Sequence, residues 1–363
     1  MRLLSLTVGI LVMAAAGAAF GEFEELKVNN AGFERVISGT SNVLKTTHVR
    51  IGGVEMLDQP SVEFMIEVEY KGETLSLVPS DFDIKGIDSS AKGKERQTSI
   101  ELRSHYWGLP LLVYIDYWCD ERNQYQQKSI NIPPCKQAAG AVLKRVTIEA
   151  FHFRSPVLPL APTASGFANV AKSGFAAIDP KSSKGLCFDL PSGKAEFARG
   201  HSLIAYEEMT APVEKGYETG RLALGVASGK PDAAFSAYRQ MLLETRYPLL
   251  AKNPKLAALR KRFADCFATR QYLPPCSEDG RVEGEGCVAD NKGFVLLFNS
   301  GSEAAKALLP LWSPALNVSG DLKLSDWTSL DGASDMGTKK PEDKVEIDVP
   351  ARGYRVIGVN IDG

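Results

Sequence analysis

The feature that most constrains the fold is a succession of short stretches, from residue 22 to about 225, in which apolar and polar residues alternate. In Ser61–Tyr70 the apolar side chains share one face, and Glu63 shares the other face with two further glutamates. A period of two residues is typical of a half-buried β-strand. Leu111–Cys119 has apolar or aromatic residues on both faces, as in the inner sheet of a sandwich. These patterns predict a mainly β protein with antiparallel sheets.

Residues 231 to about 273 have the period of a helix instead. One helix is predicted to open at Pro231. Another is predicted at Asn253-Pro254, because asparagine is a good helix cap and proline suits the first helical position. Its apolar stripe consists of Leu256, Leu259, Phe263 and Phe267.

The last 70 residues return to strands. Gly293–Asn299 is almost wholly apolar, and the segments 345–349 and 355–361 alternate. Several strands at short spacing predict a small antiparallel β-sandwich. We interpret residues 274–292, before it, as a polar link that carries two cysteines.

The N-terminal residues have the pattern of a secretory signal peptide. Arg2 is followed by the apolar run Leu3–Ala16 and by small residues, with cleavage after Ala18 or Gly21. The alternative is a membrane anchor, although this run is shorter than the ~20 apolar residues that span a bilayer. We expect an exported protein, periplasmic or extracellular, without a transmembrane segment after signal cleavage.

Export affects how the six cysteines are interpreted. An even number of cysteines in an oxidising compartment suggests disulfides. The candidate pairs are Cys119–Cys135, Cys276–Cys287 and, by elimination, Cys187–Cys266. The alternative is a set of buried thiols. A metal site is not expected, because no CxxC or HxxxH spacing occurs.

The charge balance excludes one class of function. The chain has 42 Lys and Arg against 44 Asp and Glu, a net charge of −2. A nucleic-acid-binding protein would show an excess of basic residues on one face. No nucleotide-binding glycine pattern is present either, so we expect no cofactor.

Aromatic and carboxylate side chains gather between residues 105 and 118. Aromatic faces stack on apolar surfaces, including those of sugar rings, and carboxylates bond to hydroxyl groups. The candidate glycan contacts are His105, Tyr106, Trp107, Asp116 and Trp118. The alternative is that both tryptophans belong to the core and that Asp116 lies at a surface or turn.

An enzyme is the rival class of function. The chain lacks a GxSxG elbow, a P-loop and an HExxH motif. A sugar epimerase would need His105 or His152 to face a carboxylate in one pocket, as general acid and base. Carboxylates are abundant, so the pair that a glycoside hydrolase requires is not excluded by counting.

Several segments share the order and character of a known family. They are 127–130 (QKSI), 141–149 (AVLKRVTIE), 225–239, 293–299 (GFVLLFN), 326–328 (DWT) and 350–359 (PARGYRVIGV). The first three resemble the N-terminal β-supersandwich of melibiase-type α-galactosidases, a glycoside hydrolase clan, and the others resemble its C-terminal β-sandwich. The resemblance implies a domain order of signal peptide, β-supersandwich, helical segment with a disulfide-containing linker, and β-sandwich, at residues 1–21, 22–230, 231–292 and 293–363.

The catalytic barrel of that clan has no counterpart here. A (β/α)8 barrel takes at least roughly 200 residues, far more than lie between Tyr238 and Gly293. No position matches the clan's catalytic aspartates, so the catalytic residues stay unknown. The resemblance implies an exported, barrel-less and non-catalytic relative that binds glycan or a protein partner. The alternative is an epimerase or a hydrolase of α-galactosides. Oligomeric state is not indicated.

Overall fold

The structure is a computed structural model. It describes residues 23–40, 43–106, 108–120, 123–154, 158–163, 166–169, 176–190, 193–198, 201–229, 231–246, 253–269, 271–273, 276–277, 282–299, 301, 303–313 and 316–361. The signal peptide expected at 1–21 and the candidate contact Trp107 lie outside these residues. No helix in the described part of the chain has both the length and the apolar character needed to cross a bilayer.

The protein is mainly β, as predicted, and the described chain divides into two compact units. The first holds residues up to 160 and from 169 to 238, and the second holds 161–168 and 239 onward. The strands before the long helix are β1 Phe23–Asn30, β2 Phe33–Thr40, β3 Val43–Ile51, β4 Val54–Glu55, β5 Ser61–Val62, β6 Met65–Tyr70, β7 Glu73–Leu77, β8 Phe82–Lys92, β9 Glu95–Ser104, β10 Leu112–Asp120, β11 Tyr125–Ile132, β12 Val142–His152, β13 Leu158–Thr163, β14 Gly166–Asn169, β15 Ala176–Asp179, β16 Lys184–Asp189, β17 Lys194–Ala198, β18 Ser202–Pro212, β19 Tyr217–Glu218 and β20 Leu222–Ser228.

Three antiparallel sheets contain these strands. One has β1-β2-β3-β4 with β5 beside β3, and a second has the order β17-β18-β12-β6-β7. The largest has ten strands in the order β14-β13-β15-β16-β20-β11-β10-β9-β8, with β19 beside β11. One continuous apolar core, which includes Ile37, Val68 and Ile115, draws side chains from all three sheets. The first unit is therefore a layered β-sandwich.

The alternation in β10 sets which side chains face that core. Val113, Ile115 and Tyr117 are buried in it, while Asp116 and Trp118 lie on the opposite face. The register carries the same division to the neighbouring strands, because Tyr117 pairs with Thr98 of β9 and with Lys128 of β11. Directly paired residues lie on the same side of a sheet.

Ser61–Tyr70 differs from the prediction. It forms two strands instead of one, with β5 beside β3 and β6 beside β12. The chain leaves one sheet and joins another at Glu63 and Phe64. Glu63 is therefore fully buried, although strict alternation would have put it on the solvent face. A bend between two strands breaks the alternation, so the side chains after it no longer keep the faces that the pattern before it predicts.

The predicted helices are present as α1 Pro231–Arg246, α2 Pro254–Arg262 and α3 Ala264–Ala268. The cap predicted at Asn253 is confirmed, since its side chain accepts a hydrogen bond of 2.9 Å from the backbone N–H of Lys255. Leu256 and Leu259 of the predicted stripe are buried. Local signals were sufficient here because a cap and a stripe act within one or two turns.

The second unit is a sandwich of two sheets. Its strands are β21 Gln271–Leu273, β22 Val282–Ala289, β23 Lys292–Asn299, β24 Ala305–Leu309, β25 Leu322–Asp326, β26 Ser334–Lys339, β27 Val345–Val349 and β28 Tyr354–Val359. The larger sheet has the order β21-β22-β23-β28-β25-β26, and β24 pairs with β27. Val295 and Leu297 of β23 belong to the core with β24 and β27, whereas Phe294 and Leu296 pack with Leu256 and Leu259 of α2.

The stretch 274–292, interpreted from the sequence as a polar link, contains the whole of the central strand β22. β22 pairs with β21 on one side and with β23 on the other. Gly284 and Gly286 lie in its middle, and a Cβ at Gly286 would come within 2.3 Å of Leu316. The glycines thus serve close packing, and a glycine-containing stretch was mistaken for a flexible connection.

The predicted disulfides are wrong. All six cysteines lie among the described residues; each is buried, and none is joined to another by a disulfide. Cys119 pairs in register with Gln126, near the turn that joins β10 to β11, while Asn131 pairs with Tyr114 farther along. The five residues from Gln126 to Asn131 span roughly 17 Å at strand spacing, and Cys135 lies beyond them.

Cys276 and Cys287 are separated in a different way. Cys276 belongs to the core formed with β24 and β27, and Cys287 belongs to the core on the helix-covered face of the same sheet. The remaining pair would join β16 of the first unit to α3 of the second. Proximity in sequence thus misleads when the intervening chain is extended, or when the sheet itself separates the side chains.

Candidate functional site

The outward face of β8, β9, β10, β11 and β20 is the first candidate site, and we call it the polar face. On β8 to β11 its side chains are mainly carboxylates, amides, hydroxyls and aromatics in place of the aliphatic residues of the inward face, whereas β20 contributes Ala223 and Gly225. Their register is given by the pairs Asp116–Ser99, Asp116–Ser129, Trp118–Gln97 and Trp118–Gln127. Such groups donate and accept hydrogen bonds and have the chemistry that hydroxyl-rich ligands require.

Asp116 lies near the centre of the polar face and is only 9% exposed. Its carboxylate accepts a long hydrogen bond of 3.4 Å from Nε2 of Gln97. Beside it, the hydroxyl of Ser129 is fully buried and has no hydrogen-bond partner among the described residues. Buried polar atoms usually have partners, and Asp116, which keeps some exposure, is the member of this weakly bonded pair that a ligand can reach.

Trp118 is adjacent to this pair and is also only 9% exposed. The guanidinium carbon of Arg221 lies 3.9 Å from the centre of its ring, in a cation–π contact. The side of the ring that a sugar would stack against is therefore occupied by Arg221. Trp118 holds an exposed guanidinium in place, whereas the sequence predicted that its ring itself would contact sugar.

Tyr114 and Glu101 lie one step farther along the polar face and pair in register. Burial, together with the Glu101 carboxylate to which Tyr114 is hydrogen-bonded, raises the pKa of the Tyr114 hydroxyl. Tyr114 therefore stays protonated at neutral pH. Glu101 is diagonal to Asp116, and diagonal neighbours in an antiparallel pair are ~7–8 Å apart.

The other predicted contacts lie at the far end of these strands. His105 and Tyr106 follow β9, and the backbone N–H of Ser104 bonds to Leu111 just before β10 begins. Trp118 is seven residues from Leu111, or roughly 23 Å along an extended strand. The structure thus brings Asp116 and Trp118 together, but it does not bring His105 and Tyr106 to them.

The two histidines proposed for acid–base chemistry have different surroundings. Nδ1 of His105 lies 3.8 Å from Oδ1 of Asp83, and their side chains are 46% and 42% exposed. Nδ1 of His152 lies 2.9 Å from the hydroxyl of Ser202, its cross-strand partner. In the described part of the chain, no three His, Cys, Asp or Glu side chains are gathered so that they could hold a metal ion.

The inward face holds a second polar cluster, which sequence reasoning missed. Arg35, Glu63, Lys128 and Glu149 are all fully or almost fully buried; we call them the charge tetrad. Nζ of Lys128 lies 2.7 Å from Oε2 of Glu63 and 3.6 Å from Oε1 of Glu149. The tetrad carries two positive and two negative charges, so it is neutral as a whole.

Hydrogen bonds hold the tetrad together. Arg35 bonds to Glu149, and the hydroxyls of Tyr117 and Thr46 donate to the two oxygens of Glu63. Burial alone would raise the pKa of Glu63, but Lys128 and Arg35 outweigh it and lower this pKa to about 2. Glu63 is thus ionised at neutral pH.

The tetrad is closed to solvent, so we assign it to the architecture. Its members come from β2, the bend between β5 and β6, β11 and β12, which belong to three sheets. One sequence signal was Lys128, which lies two residues before Ile130 in a strand and therefore shares its face. A lysine in an inward register position indicates a buried partner of opposite charge.

Comparison with known proteins gives structural likenesses only. No protein-family model and no curated protein matches the chain. Among solved structures, it is similar to an α-N-acetylgalactosaminidase from Bifidobacterium bifidum, with a TM-score of 0.45 and 8% identity over 70% of this chain. It is also similar to the galactosidase domain of an α-galactosidase–sucrose kinase, with a TM-score of 0.44 and 9% identity over 61% of this chain.

A glycoside hydrolase family 97 enzyme from Pseudoalteromonas is a further neighbour, with a TM-score of 0.41 and 7% identity over 55% of this chain. The chain spans 45%, 43% and 35% of the lengths of these three proteins. The likenesses are thus to parts of larger enzymes. The side chains of the polar face carry the functional proposal.

Proposed function

We propose that this protein binds carbohydrate on its polar face and does not cleave it. The observation that carries the proposal is the buried, weakly bonded pair of Asp116 and Ser129 beside the stacked guanidinium of Arg221. A carboxylate accepts from sugar hydroxyls, and a guanidinium and an amide donate to them. The same groups left without a ligand carry an energetic cost, because buried polar atoms lose their bonds to water.

Isothermal titration of the mature chain with α-galactosides tests the proposal. Asp116→Asn should weaken binding by roughly ten- to a hundredfold, since bonds to charged groups contribute more than neutral ones. Asp321→Asn, at an exposed aspartate of the second unit, is the matched control and should bind like the wild type. No saturable heat with any α-galactoside would overturn the proposal.

Hydrolysis is the second candidate function, and one observation favours it. Asp116 and Glu101 are diagonal neighbours on the polar face, and an inverting glycosidase needs two carboxyl groups on one surface. Glu101, however, is hydrogen-bonded to Tyr114. We expect no turnover of aryl α-galactosides. Turnover that both Asp116→Asn and Glu101→Gln abolish would establish the enzyme instead.

We further propose that the protein is an exported, barrel-less relative of the α-galactosidase clan. Support comes from the signal-peptide pattern of residues 1–21 and from the segments quoted above. N-terminal sequencing of protein from the culture medium or periplasm should begin at residue 19 or 22. Recovery only from the cytoplasm with Met1 intact would contradict export.

A further inference from the structure

The polar face contains two parallel rows of side chains that cross four strands. One row holds Ser90, Gln97, Trp118 and Gln127, and the other holds Asp88, Ser99, Asp116 and Ser129, on β8, β9, β10 and β11 in that order. Seven of these eight side chains, all except Trp118, carry a hydroxyl, amide or carboxylate group. The hydrogen-bonding groups therefore extend well beyond the immediate surroundings of Asp116.

Exposure changes steadily along the second row. Asp88 is exposed and Ser99 is half-buried, whereas Asp116 is 9% exposed and Ser129 is fully buried. In the first row Ser90 is exposed, Gln97 is half-buried and Trp118 is buried, while Gln127 beyond it is half-buried. Along these rows the polar face is thus most open at β8, and on the second row the exposed part ends at Asp116 of β10.

The dimensions match a short sugar chain lying across the strands. Neighbouring strands are ~4.8 Å apart, about the width of one hexose ring, so β8 to β10 offers room for about three units. The units over β8 and β9 would each meet one hydrogen-bonding side chain from each row, and the unit over β10 would meet Asp116 of the second row. A chain lying along a strand would instead meet outward side chains only at every second residue.

We propose that the polar face binds the end of an oligosaccharide. Its terminal unit lies at Asp116 and Arg221, and the next two units lie over β9 and β8. The inference rests on the carbohydrate binding proposed above. It adds that the ligand is a chain of at least three units, and that the chain ends where the exposed surface ends.

Titration with a series of one, two and three units tests this inference. We would use galactose, melibiose and manninotriose, which extend one α-1,6-linked chain from a terminal galactose. Affinity should rise by roughly five- to tenfold from the first to the last, the effect of one or two added hydrogen bonds. Equal affinity for all three would overturn the inference and leave the proposed function intact.

Two variants locate the added units. Asp88→Asn should weaken binding of manninotriose and leave galactose unchanged, whereas Asp116→Asn should weaken both. Asp321→Asn should alter neither. A gain in affinity with chain length that Asp88→Asn does not reduce would contradict the placement over β8. Absence of binding by all three sugars would overturn both this inference and the proposed function.

Discussion

At the scale of single residues, the charge tetrad shows how costly groups are kept inside a β-sandwich. Each of its charges has a partner of opposite sign, and Glu63 also accepts from Tyr117 and Thr46. A buried ion pair often contributes little compared with an apolar pair of the same volume, but loss of one partner leaves an uncompensated buried charge. Stability therefore depends on all four charges being present together more than on the contribution of any single ion pair.

Replacement of one member should be far more damaging than replacement of two. Lys128→Met should lower the free energy of unfolding by about 3–5 kcal/mol, whereas the double variant Lys128→Met with Glu63→Leu should recover much of that loss. Urea unfolding followed by far-ultraviolet circular dichroism measures both. Lys144→Met, at a half-exposed lysine paired with Glu69, is the control and should change stability little. Additive losses in the double variant would contradict this account.

The lowered pKa of Glu63 predicts that the free energy of unfolding falls as the solution becomes acidic. Its pKa is about 2 in the folded protein against an ordinary value of 4.5. A carboxyl group with a lowered pKa stabilises the fold fully above its unfolded pKa, and this contribution is lost as the pH falls toward the folded pKa. We expect a loss of roughly 3 kcal/mol between pH 4.5 and 2.

Urea midpoints measured at several pH values from neutral to about pH 3 test this dependence. The Glu63→Gln variant should show a weaker fall, because its side chain cannot be protonated. A fall of equal size in wild type and variant would assign the acid sensitivity to other carboxyl groups.

At the scale of elements, α2, α3 and β22 show that a segment's role depends on what packs against it. Phe263, between α2 and α3, contacts Phe294 of β23 and Trp327, with ring centres 5.1 and 6.2 Å apart. The helices thus cover one face of the larger sheet in the second unit. β22, which contains two glycines and two glutamates, is a central strand of that same sheet.

Limited proteolysis distinguishes a link from a strand. The sequence interpretation expects cleavage near Asp279-Gly280 or Gly284. Because Gly284 lies in β22, where backbone groups pair on both sides, we expect no cleavage from Val282 to Asn299. Mass spectrometry of the fragments locates the cuts. A major cut at Gly284 in the folded protein would contradict the pairing of β22.

At the scale of the whole molecule, each of the two units is stabilised by its own buried apolar core, without a disulfide among the described residues. The six cysteines contribute as small apolar side chains, and burial raises the pKa of Cys187 to about 12. A thiol with such a pKa is almost entirely protonated at neutral pH and reacts slowly with oxidants. The even number of cysteines in a chain with a signal-peptide pattern is therefore not accompanied by disulfides in this structure.

Stability should accordingly be independent of redox conditions. The melting temperature of the purified chain should be the same, within about 1 °C, with and without dithiothreitol, because no disulfide is available for reduction. Thiol titration in denaturant should count six thiols. A lower melting temperature in the reductant, together with fewer than six thiols, would restore the disulfide interpretation.

The amino-acid sequence by itself determined the elements whose signals are local. Alternation in β10, the cap at Asn253 and the apolar run of β23 each depend on neighbours a few residues away, so the strands, helices and the β class were predictable. The position of Glu63 was not, because the bend after β5 is set by which sheets its two strands join. Only the tertiary structure decided that Glu63 meets Lys128, and that Asp116 is buried beside Ser129 and Arg221. These contacts link residues 13 to about 105 positions apart. A pattern of period two predicts which side chains share one face of a strand, but it does not predict which residues of other strands pack against them.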